Sequence, residues 1–214
     1  MHTYKGRFIT LEGGEGVGKS TLAANLKLEL EKKGQNVVLT REPGGSIGGE
    51  TIRTLVLNPP HSDGSWSPLT QTLLFFAARR DHLEHVIIPA LTRGDWVICD
   101  RFTDSTRAYQ AVAGGVDQDT ITQFDTMVVG ENQPDLTLIL DMALEDAAKR
   151  RVLRNGPIDA FESLPQSFHE KVRHAFIQIS QVHPERCYLV DASLEATAVT
   201  QKALEIVSNR LKLS

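Results

Sequence analysis

Short apolar runs alternate with amphipathic stretches along most of the chain, and this alternation is typical of an α/β fold. The apolar runs of strand length are Phe8–Leu11, Val37–Leu39, Trp96–Cys99, Leu136–Leu140 and Cys187–Val190. The stretches with apolar residues at helical spacing are Lys19–Lys33, Thr51–Leu57, Thr70–Leu91, Asp119–Val129, Leu144–Arg154, Gln166–Val182 and Leu194–Leu211. Because strands and helices alternate, we predict a parallel five-stranded sheet with helices on both faces.

The chain of 214 residues shows no internal repeat, low-complexity tract or interdomain linker, so we assign residues 1–214 to one domain. Two stretches that contain proline and glycine, Asn58–Ser67 and Asn155–Ser167, are predicted to be loops. The second loop follows a basic helix end, and residues from about 150 to 165 are the candidate lid.

Composition narrows the class of protein. Hydrophobic residues make up 41% of the chain and charged residues 23%, as in soluble globular proteins. The net charge of −4 argues against a general affinity for nucleic acid or an anionic membrane. There is no stretch typical of a signal peptide or membrane span, and Cys99 and Cys187 are the two cysteines, so we expect a cytoplasmic protein with a buried Cys99 thiol.

The first apolar run leads into Gly13–Ser20, which fits the phosphate-loop pattern G-x-x-x-x-G-K-[ST]. A helix follows at once, so its free backbone N–H groups and its dipole favour an anion at this point. Lys19 would add charge for terminal phosphates, and the Ser20 hydroxyl would bind Mg²⁺. The residues predicted to surround the phosphates are Gly13, Gly14, Glu15, Gly16, Val17, Gly18, Lys19, Ser20 and Thr21. The alternative is a glycine-rich turn with a surface lysine.

Polar residues follow the third strand, where ligands of parallel sheets bind. Asp100 is a candidate Mg²⁺ ligand, or else a helix cap or salt-bridge partner. Arg101 has the fork geometry that suits phosphate oxygens. One helical turn beyond it would aim a polar and aromatic cluster, typical of a nucleoside site, into a shared cleft. That cluster consists of Ser105, Thr106, Tyr109 and Gln110.

Two further segments allow more than one interpretation. The second strand ends in Thr40–Gly45, a sharp turn in which the Glu42–Pro43 bond is a candidate cis peptide, and we infer a loop that shapes an acceptor-phosphate site. Phe75 and Arg79 share a helix face, so they could stack on a base and bond its carbonyl. The other interpretation of this pair is a core residue beside a surface salt bridge.

A basic helix end precedes the Asn155–Ser167 loop. Its residues are Lys149, Arg150, Arg151 and Arg154. Such an end is either a solvated face, favoured by the helix dipole, or part of a lid that closes positive charge over a transferring phosphoryl group.

From Phe8 to about Leu211 the chain resembles the bacterial thymidylate kinases, which phosphorylate dTMP to dTDP with ATP. The resemblance is carried by L-E-G-G-E-G-V-G-K-S-T at the phosphate loop, T-R-E-P-G-G at 40–45, F-F-A-A-R at 75–79 and D-R-F-T-D-S-T-R-A-Y-Q at 100–110. It implies a phosphate-loop NTPase type of fold, ATP as donor, Mg²⁺ as cofactor and a homodimer packed through helices.

The resemblance also implies a role for each site residue. Lys19 would contact the transferred phosphoryl group, and Ser20 would bind the magnesium. Arg101 would hold the dTMP phosphate, and Tyr109 would crowd the sugar 2′ position. The implied dTMP contacts are Glu15, Phe75, Arg79, Arg101, Thr106, Tyr109 and Gln110, with Glu15 near the 3′-hydroxyl unless it is a solvated loop carboxylate. The segment 190–193 would lie near adenine.

Members of this family differ in where the catalytic arginine lies. Some carry it within the phosphate loop, where this chain has Gly16, and bacterial members supply it from the lid. Arg154 matches that position best, with Arg150 beside it, so the implied catalytic residues are Lys19, Arg101, Arg150 and Arg154. The usual lid continues D-R-x-E, whereas Ala160 here replaces the basic residue, and Arg151 is a candidate to compensate.

Three other functions compete with dTMP kinase activity. The first is a kinase for another nucleoside monophosphate or a deoxynucleoside, which the cluster at 105–110 argues against. The second is a GTP-dependent switch or a regulatory ATP-binding module. The Asn-Lys-x-Asp guanine reader expected of a GTPase is missing from the sequence. The third is a kinase-like fold without activity, supported by Ala160 alone.

Overall fold

The five apolar runs form one parallel sheet. The computed structural model describes residues 4–60, 66–153, 161 and 163–213. The strands are β1 (Phe8–Glu12), β2 (Val37–Arg41), β3 (Trp96–Asp100), β4 (Leu136–Asp141) and β5 (Cys187–Asp191). Their order across the sheet is β2-β3-β1-β4-β5, and every neighbouring pair is parallel. This confirms the predicted sheet and places the end of β1 between the ends of β3 and β4, where crossovers leave room for a ligand.

Helices connect the strands. They are α1 (Lys19–Lys32), α2 (Ile47–Leu57), α3 (Pro68–His82), α4 (Ile88–Arg93), α5 (Thr103–Thr106), α6 (Gln118–Val128), α7 (Leu144–Leu153), α8 (Gln166–Val182) and α9 (Ala196–Leu211). A π-helical turn at Leu83–Ile87 joins α3 to α4, and a second π-helical segment, Arg107–Ala113, continues α5.

Two helical predictions were too short. The α2 helix begins at Ile47 rather than Thr51, because the Ser46 side chain caps it by accepting a hydrogen bond from the amide of Gly49. After Arg101 the chain makes more than the single turn expected and stays helical to Ala113. The π-helical segment that extends it was not visible in the apolar spacing.

Apolar side chains pack on both faces of the sheet, as predicted. One face is covered by α1 and α9 through Leu22, Leu26 and Ala203. The other face is covered by α3, α4 and α6. The apolar cluster between them and the sheet includes Phe76 of α3 and Cys99 of β3. A third cluster joins α8 to the segment after α5. Cys99 is a buried free thiol, which confirms the expectation for it, and Cys187 is likewise free and buried.

The described part of the chain contains no helix long and apolar enough to cross a membrane. The assignment of residues 1–214 to one domain stays a prediction. Half of the candidate lid, residues 154–160 and 162, lies outside the described residues, and Arg154 and Ala160 are among them.

Candidate functional site

The phosphate loop runs from the end of β1 into the first turn of α1, as the sequence predicts. Lys19, the first residue of α1, is buried, and its Nζ donates to the carbonyl oxygens of Gly13 at 3.1 Å and Gly14 at 2.7 Å. Burial and the charge of Arg101 lower the pKa of this lysine. Lys19 is therefore an internal charge held across the loop, and the interpretation of a surface lysine is wrong.

Ser20 and Asp100, the two predicted magnesium ligands, lie in contact. The Ser20 hydroxyl donates to Oδ2 of Asp100 at 2.8 Å. Among the described residues there is no cluster of three or more His, Cys, Asp or Glu side chains that could hold a metal ion. One hydroxyl and one carboxylate fit Mg²⁺, which prefers oxygen ligands and takes most of them from water and phosphate.

Arg101 connects the phosphate loop to the cluster that follows β3. Its φ of 72° lies in the left-handed region, an arrangement that costs a non-glycine residue about 1 kcal/mol. The guanidinium donates to Gly13 O at 3.1 Å, Ser105 Oγ at 3.0 Å, Glu15 Oε1 at 2.7 Å and the Tyr109 hydroxyl at 3.3 Å, and lies 5.0 Å from the Tyr109 ring centre. These contacts fix the side chain at the mouth of the loop.

Glu15 is part of this cluster rather than a solvated loop carboxylate. It is partly buried, and the Tyr109 hydroxyl donates to Oε1 at 3.2 Å. Burial acts to raise the pKa of Glu15, but the charges of Arg101 and Lys19 outweigh it and lower the pKa to about 2. The carboxylate therefore stays ionised at neutral pH and holds Arg101 towards the loop.

Arg79 is buried, with 2% of its surface exposed, so the interpretation as a surface salt bridge is wrong. Its Nε donates to Glu42 Oε2 at 2.7 Å, and its Nη2 donates to Thr106 Oγ1 at 3.2 Å. Gln110 is also buried, and its Nε2 donates to Gln71 at 3.3 Å. The structure thus brings Arg79 and Thr106, two residues of the predicted dTMP site, into direct contact.

Phe75 lies half-buried at the edge of the same cluster, facing the partly buried Phe161. The Phe161 ring centre is 6.3 Å from that of Phe75 and 5.8 Å from that of Tyr109. These distances are those of aromatic pairs. Phe161 occurs in the A-F-E segment of the candidate lid, and the sequence had assigned it no role.

The basic end of α7 lies against a cleft of about 510 Å³ that also contains the phosphate loop. Arg150 Nη1 donates to the Ala192 carbonyl at 3.0 Å, and Arg151 lines the cleft. Ala192 belongs to the segment expected near adenine, and it lines the cleft with Leu194. Arg154 lies outside the described residues, so its predicted role is not placed.

Glu12 is a site residue that sequence reasoning missed. It ends β1 and is fully buried, and its Oε1 accepts from the amides of Phe102 at 2.8 Å and Ser105 at 3.2 Å. It thereby holds the turn that contains Arg101. Burial and the nearby charge of Asp104 raise the pKa of Glu12 to about 7. The sequence signal that could have identified Glu12 is a charged residue directly after the apolar run of β1.

We expect Glu12→Gln to stabilise the protein increasingly as the pH rises from 5 to 8. The folded-state pKa of Glu12, about 7, lies above its ordinary value of 4.5, so the parent protein loses stability as the pH rises through this interval. The loss amounts to about 3 kcal/mol. Glutamine keeps the oxygen that accepts both amides and cannot ionise. Urea unfolding at several pH values measures the difference, and two parallel stability curves would contradict the expectation.

The chain is similar to known thymidylate kinases in both sequence and structure. The family model for thymidylate kinase matches residues 11–203. The chain is 46% identical over 209 residues to a thymidylate kinase of Caulobacter vibrioides, covering 98% of this chain and 99% of that one. It is 48% identical over 212 residues to a thymidylate kinase from a Bradyrhizobium strain, and the match covers 97% of this chain and 92% of that one. A solved structure of thymidylate kinase from Ehrlichia chaffeensis superposes with a TM-score of 0.77 at 31% identity. The superposition covers 94% of this chain and 98% of that one.

Proposed function

The chain belongs to the thymidylate kinase family and phosphorylates dTMP to dTDP with ATP, and we propose the residue roles by which it does so. The fold is that of a phosphate-loop NTPase. One observation carries the proposal. Arg101 touches both the phosphate loop and Tyr109, so a single cation stands between a donor site and a nucleoside site.

The donor side is the loop Gly13–Ser20 and the cleft beside it. ATP phosphates lie along the loop, with Lys19 turned from the loop carbonyls to the transferring phosphoryl group. Ser20 and Asp100 hold Mg²⁺, which supplies neutralisation of phosphate charge when bound. Their contact at 2.8 Å supports a shared position for these two oxygen ligands.

The acceptor side is the cluster around Arg101. The guanidinium holds the phosphate of dTMP, and Glu15 beside it faces the sugar 3′-hydroxyl. Phe75 stacks on thymine, while Arg79, Thr106 and Gln110 face the base edge. An oxygen of the acceptor phosphate then attacks the γ-phosphoryl group in line. No general base is needed, because this phosphate is already largely ionised near pH 7.

The test is an assay with purified protein, ATP and Mg²⁺ against dTMP, dUMP, UMP, dCMP, dGMP and thymidine. We expect the highest kcat/KM with dTMP and little turnover of UMP, because in the proposed site Tyr109 crowds the sugar 2′ position. The same assay without Mg²⁺ should show almost no turnover. Preference for another acceptor would support the competing monophosphate kinase, and slow hydrolysis of GTP and ATP alike would support a nucleotide-dependent switch.

We also propose a homodimer in the cytoplasm. Large apolar side chains are exposed on α2, α3 and α6, and these are Ile47, Leu55, Leu69, Leu73 and Met127. Such a surface on three helices fits a second copy of the chain. Light scattering should give twice the mass of the chain, and the monomer mass would contradict the dimer.

The cytoplasmic location is supported by the two cysteines. Both are free thiols, as is usual for proteins of a reducing compartment.

A further inference from the structure

A chain of buried hydrogen bonds runs from the end of β2 to Arg79. The Nδ1 of His82 donates to Glu42 Oε1 at 3.1 Å, since a carboxylate only accepts. On its other side the Nε2 of His82 bonds the Thr40 hydroxyl at 2.7 Å. The second oxygen of Glu42 accepts from Arg79 Nε at 2.7 Å. Both oxygens of one buried carboxylate are therefore engaged, one by the histidine and one by the arginine.

Glu42 pairs with the positive charge of the Arg79 guanidinium and fixes the direction of this group. The carbon at its centre lies 4.9 Å from the ring centre of Phe76 and 5.0 Å from that of Phe102. With Nε on Glu42 and Nη2 on Thr106, the remaining nitrogen, Nη1, is buried and has no hydrogen-bond partner among the described residues. A buried donor without a partner is unfavourable, so Nη1 is the group with most to gain from a carbonyl of a bound base.

The turn after β2 is built around this chain of hydrogen bonds. Gly45 has a φ of 81°, and a side chain there would collide with His82 and Thr40. His82 itself is fully buried. The T-R-E-P-G-G turn therefore closes directly onto the histidine that supports Glu42. The Glu42 side chain bonds His82 and Arg79, and only its backbone amide reaches the magnesium side of the site, by donating to the Asp100 carbonyl at 3.0 Å.

We propose that Glu42, supported by His82, is the positioning residue that sets Arg79 to read the base of the acceptor nucleotide. This assigns the T-R-E-P-G-G turn to base selection, whereas its sequence alone had suggested the acceptor-phosphate site. The inference rests on the proposed dTMP site and deepens it. Glu42 does not touch the nucleotide. It acts through Arg79, because without Glu42 the buried guanidinium would not be held in one orientation.

The experiment is a kinetic comparison of Glu42→Gln with the parent enzyme. Glutamine keeps an oxygen for Arg79 but loses the charge, and its amide nitrogen meets the donor of His82. We expect the KM for dTMP to rise about 10- to 100-fold, the effect of losing one charge-assisted hydrogen bond to the base. The kcat and the KM for ATP should stay within about threefold, because the phosphate loop and Arg101 are untouched.

Glu50→Gln is the matched control. Glu50 is a partly exposed carboxylate that accepts from the Gly45 amide at 3.0 Å and pairs with Arg41, so it supports the same turn without reaching Arg79. We expect it to lower the midpoint of thermal unfolding and to leave the KM for dTMP unchanged. An equal rise in KM in the two variants would reduce Glu42 to a structural role and overturn the proposal.

A double variant keeps the test decisive if Glu42→Gln is unstable. Arg79→Met with Glu42→Gln removes both buried charges together, which proteins tolerate better than the loss of one. If Glu42 acts through Arg79, the double variant has the same KM for dTMP as Arg79→Met alone. Additive increases would overturn the inference. Turnover of dTMP by the parent enzyme tests the function separately, so a working enzyme with an unchanged KM in Glu42→Gln refutes only the positioning role.

His82 offers a conservative rescue. Asparagine can place its amide nitrogen near the position of Nδ1 and donate to Glu42, whereas leucine cannot. We expect His82→Leu to raise the KM for dTMP several-fold and His82→Asn to return it towards the parent value. The same KM in both variants would show that the donor is unimportant and would overturn the part assigned to His82.

Discussion

The Arg154→Ala enzyme should lose about 10³- to 10⁵-fold in kcat, the range found for arginines that neutralise a transferring phosphoryl group. The KM for dTMP should change far less, because we assign dTMP binding to Arg101 and the base cluster. The sequence supports this role through the position of Arg154 just before Gly156. Steady-state kinetics with dTMP and ATP measure both constants.

The structure explains why this charge cannot come from the phosphate loop. Gly16 occupies the slot where some relatives carry arginine, with a φ of 80° that side chains rarely adopt. A Cβ at this position would also collide with the Ala147 carbonyl and would lie 2.7 Å from Cγ of Arg151. The α7 helix thus closes the slot, which supports the proposal that the catalytic arginine belongs to the basic helix end or to the segment after it.

A series along the basic helix end separates the candidates. Arg150 already donates to the Ala192 carbonyl, and Arg151 packs on Gly16, so alanine at either position should cost less than alanine at position 154. Lys149→Ala is the control, since Lys149 is exposed and pairs only with Asp146 among the described contacts. Unchanged kcat in Arg154→Ala, with a large loss in Arg150→Ala or Arg151→Ala, would move the role to that residue.

The sequence predicted the parts of the site that depend on neighbours along the chain. The phosphate loop, the five strands and the position of Asp100 and Arg101 at a strand end all follow from local patterns, because the carboxyl ends of parallel strands share one edge of a sheet. Ser20 and Asp100 are 80 residues apart, yet the topology alone brings their elements together, and their side chains are in contact.

The partners of the buried charges could not be predicted. The spacing of Phe75 and Arg79 gives a shared helix face, but it does not identify Glu42, which lies 37 residues away on another element. Without that partner, a surface salt bridge was the simpler interpretation of an arginine. Glu12 was missed for the same reason, because its amide donors belong to a turn about 90 residues further along the chain.

Arg101→Lys should lower kcat/KM for dTMP by about 10²- to 10³-fold. Lysine keeps the charge, but its three donors on one nitrogen cannot contact the phosphate loop, Glu15 and Tyr109 together and still bind a phosphate. Arg173→Lys is a matched control, because Arg173 makes a two-pronged pair with Asp141 outside the site, at 2.7 and 2.9 Å. Its kinetics should match those of the parent, and an equal loss in both variants would contradict a specific role for Arg101.

Arg101→Met removes the charge of Arg101 but keeps an unbranched side chain of similar length. The pKa of Glu15 then reports how strongly that charge acts on the phosphate loop. In the parent protein the pKa of Glu15 is lowered to about 2, so its ion pair stabilises the fold above pH 4.5, and this stability is lost as the pH falls from 4.5 towards 2. Without Arg101 the effect of burial is opposed mainly by Lys19, and the pKa of Glu15 should rise. NMR titration of the carboxyl carbon measures it. A pKa that stays near 2 would mean that Lys19 alone holds Glu15, and Arg101 would then be free to leave the loop for the acceptor phosphate at little electrostatic cost.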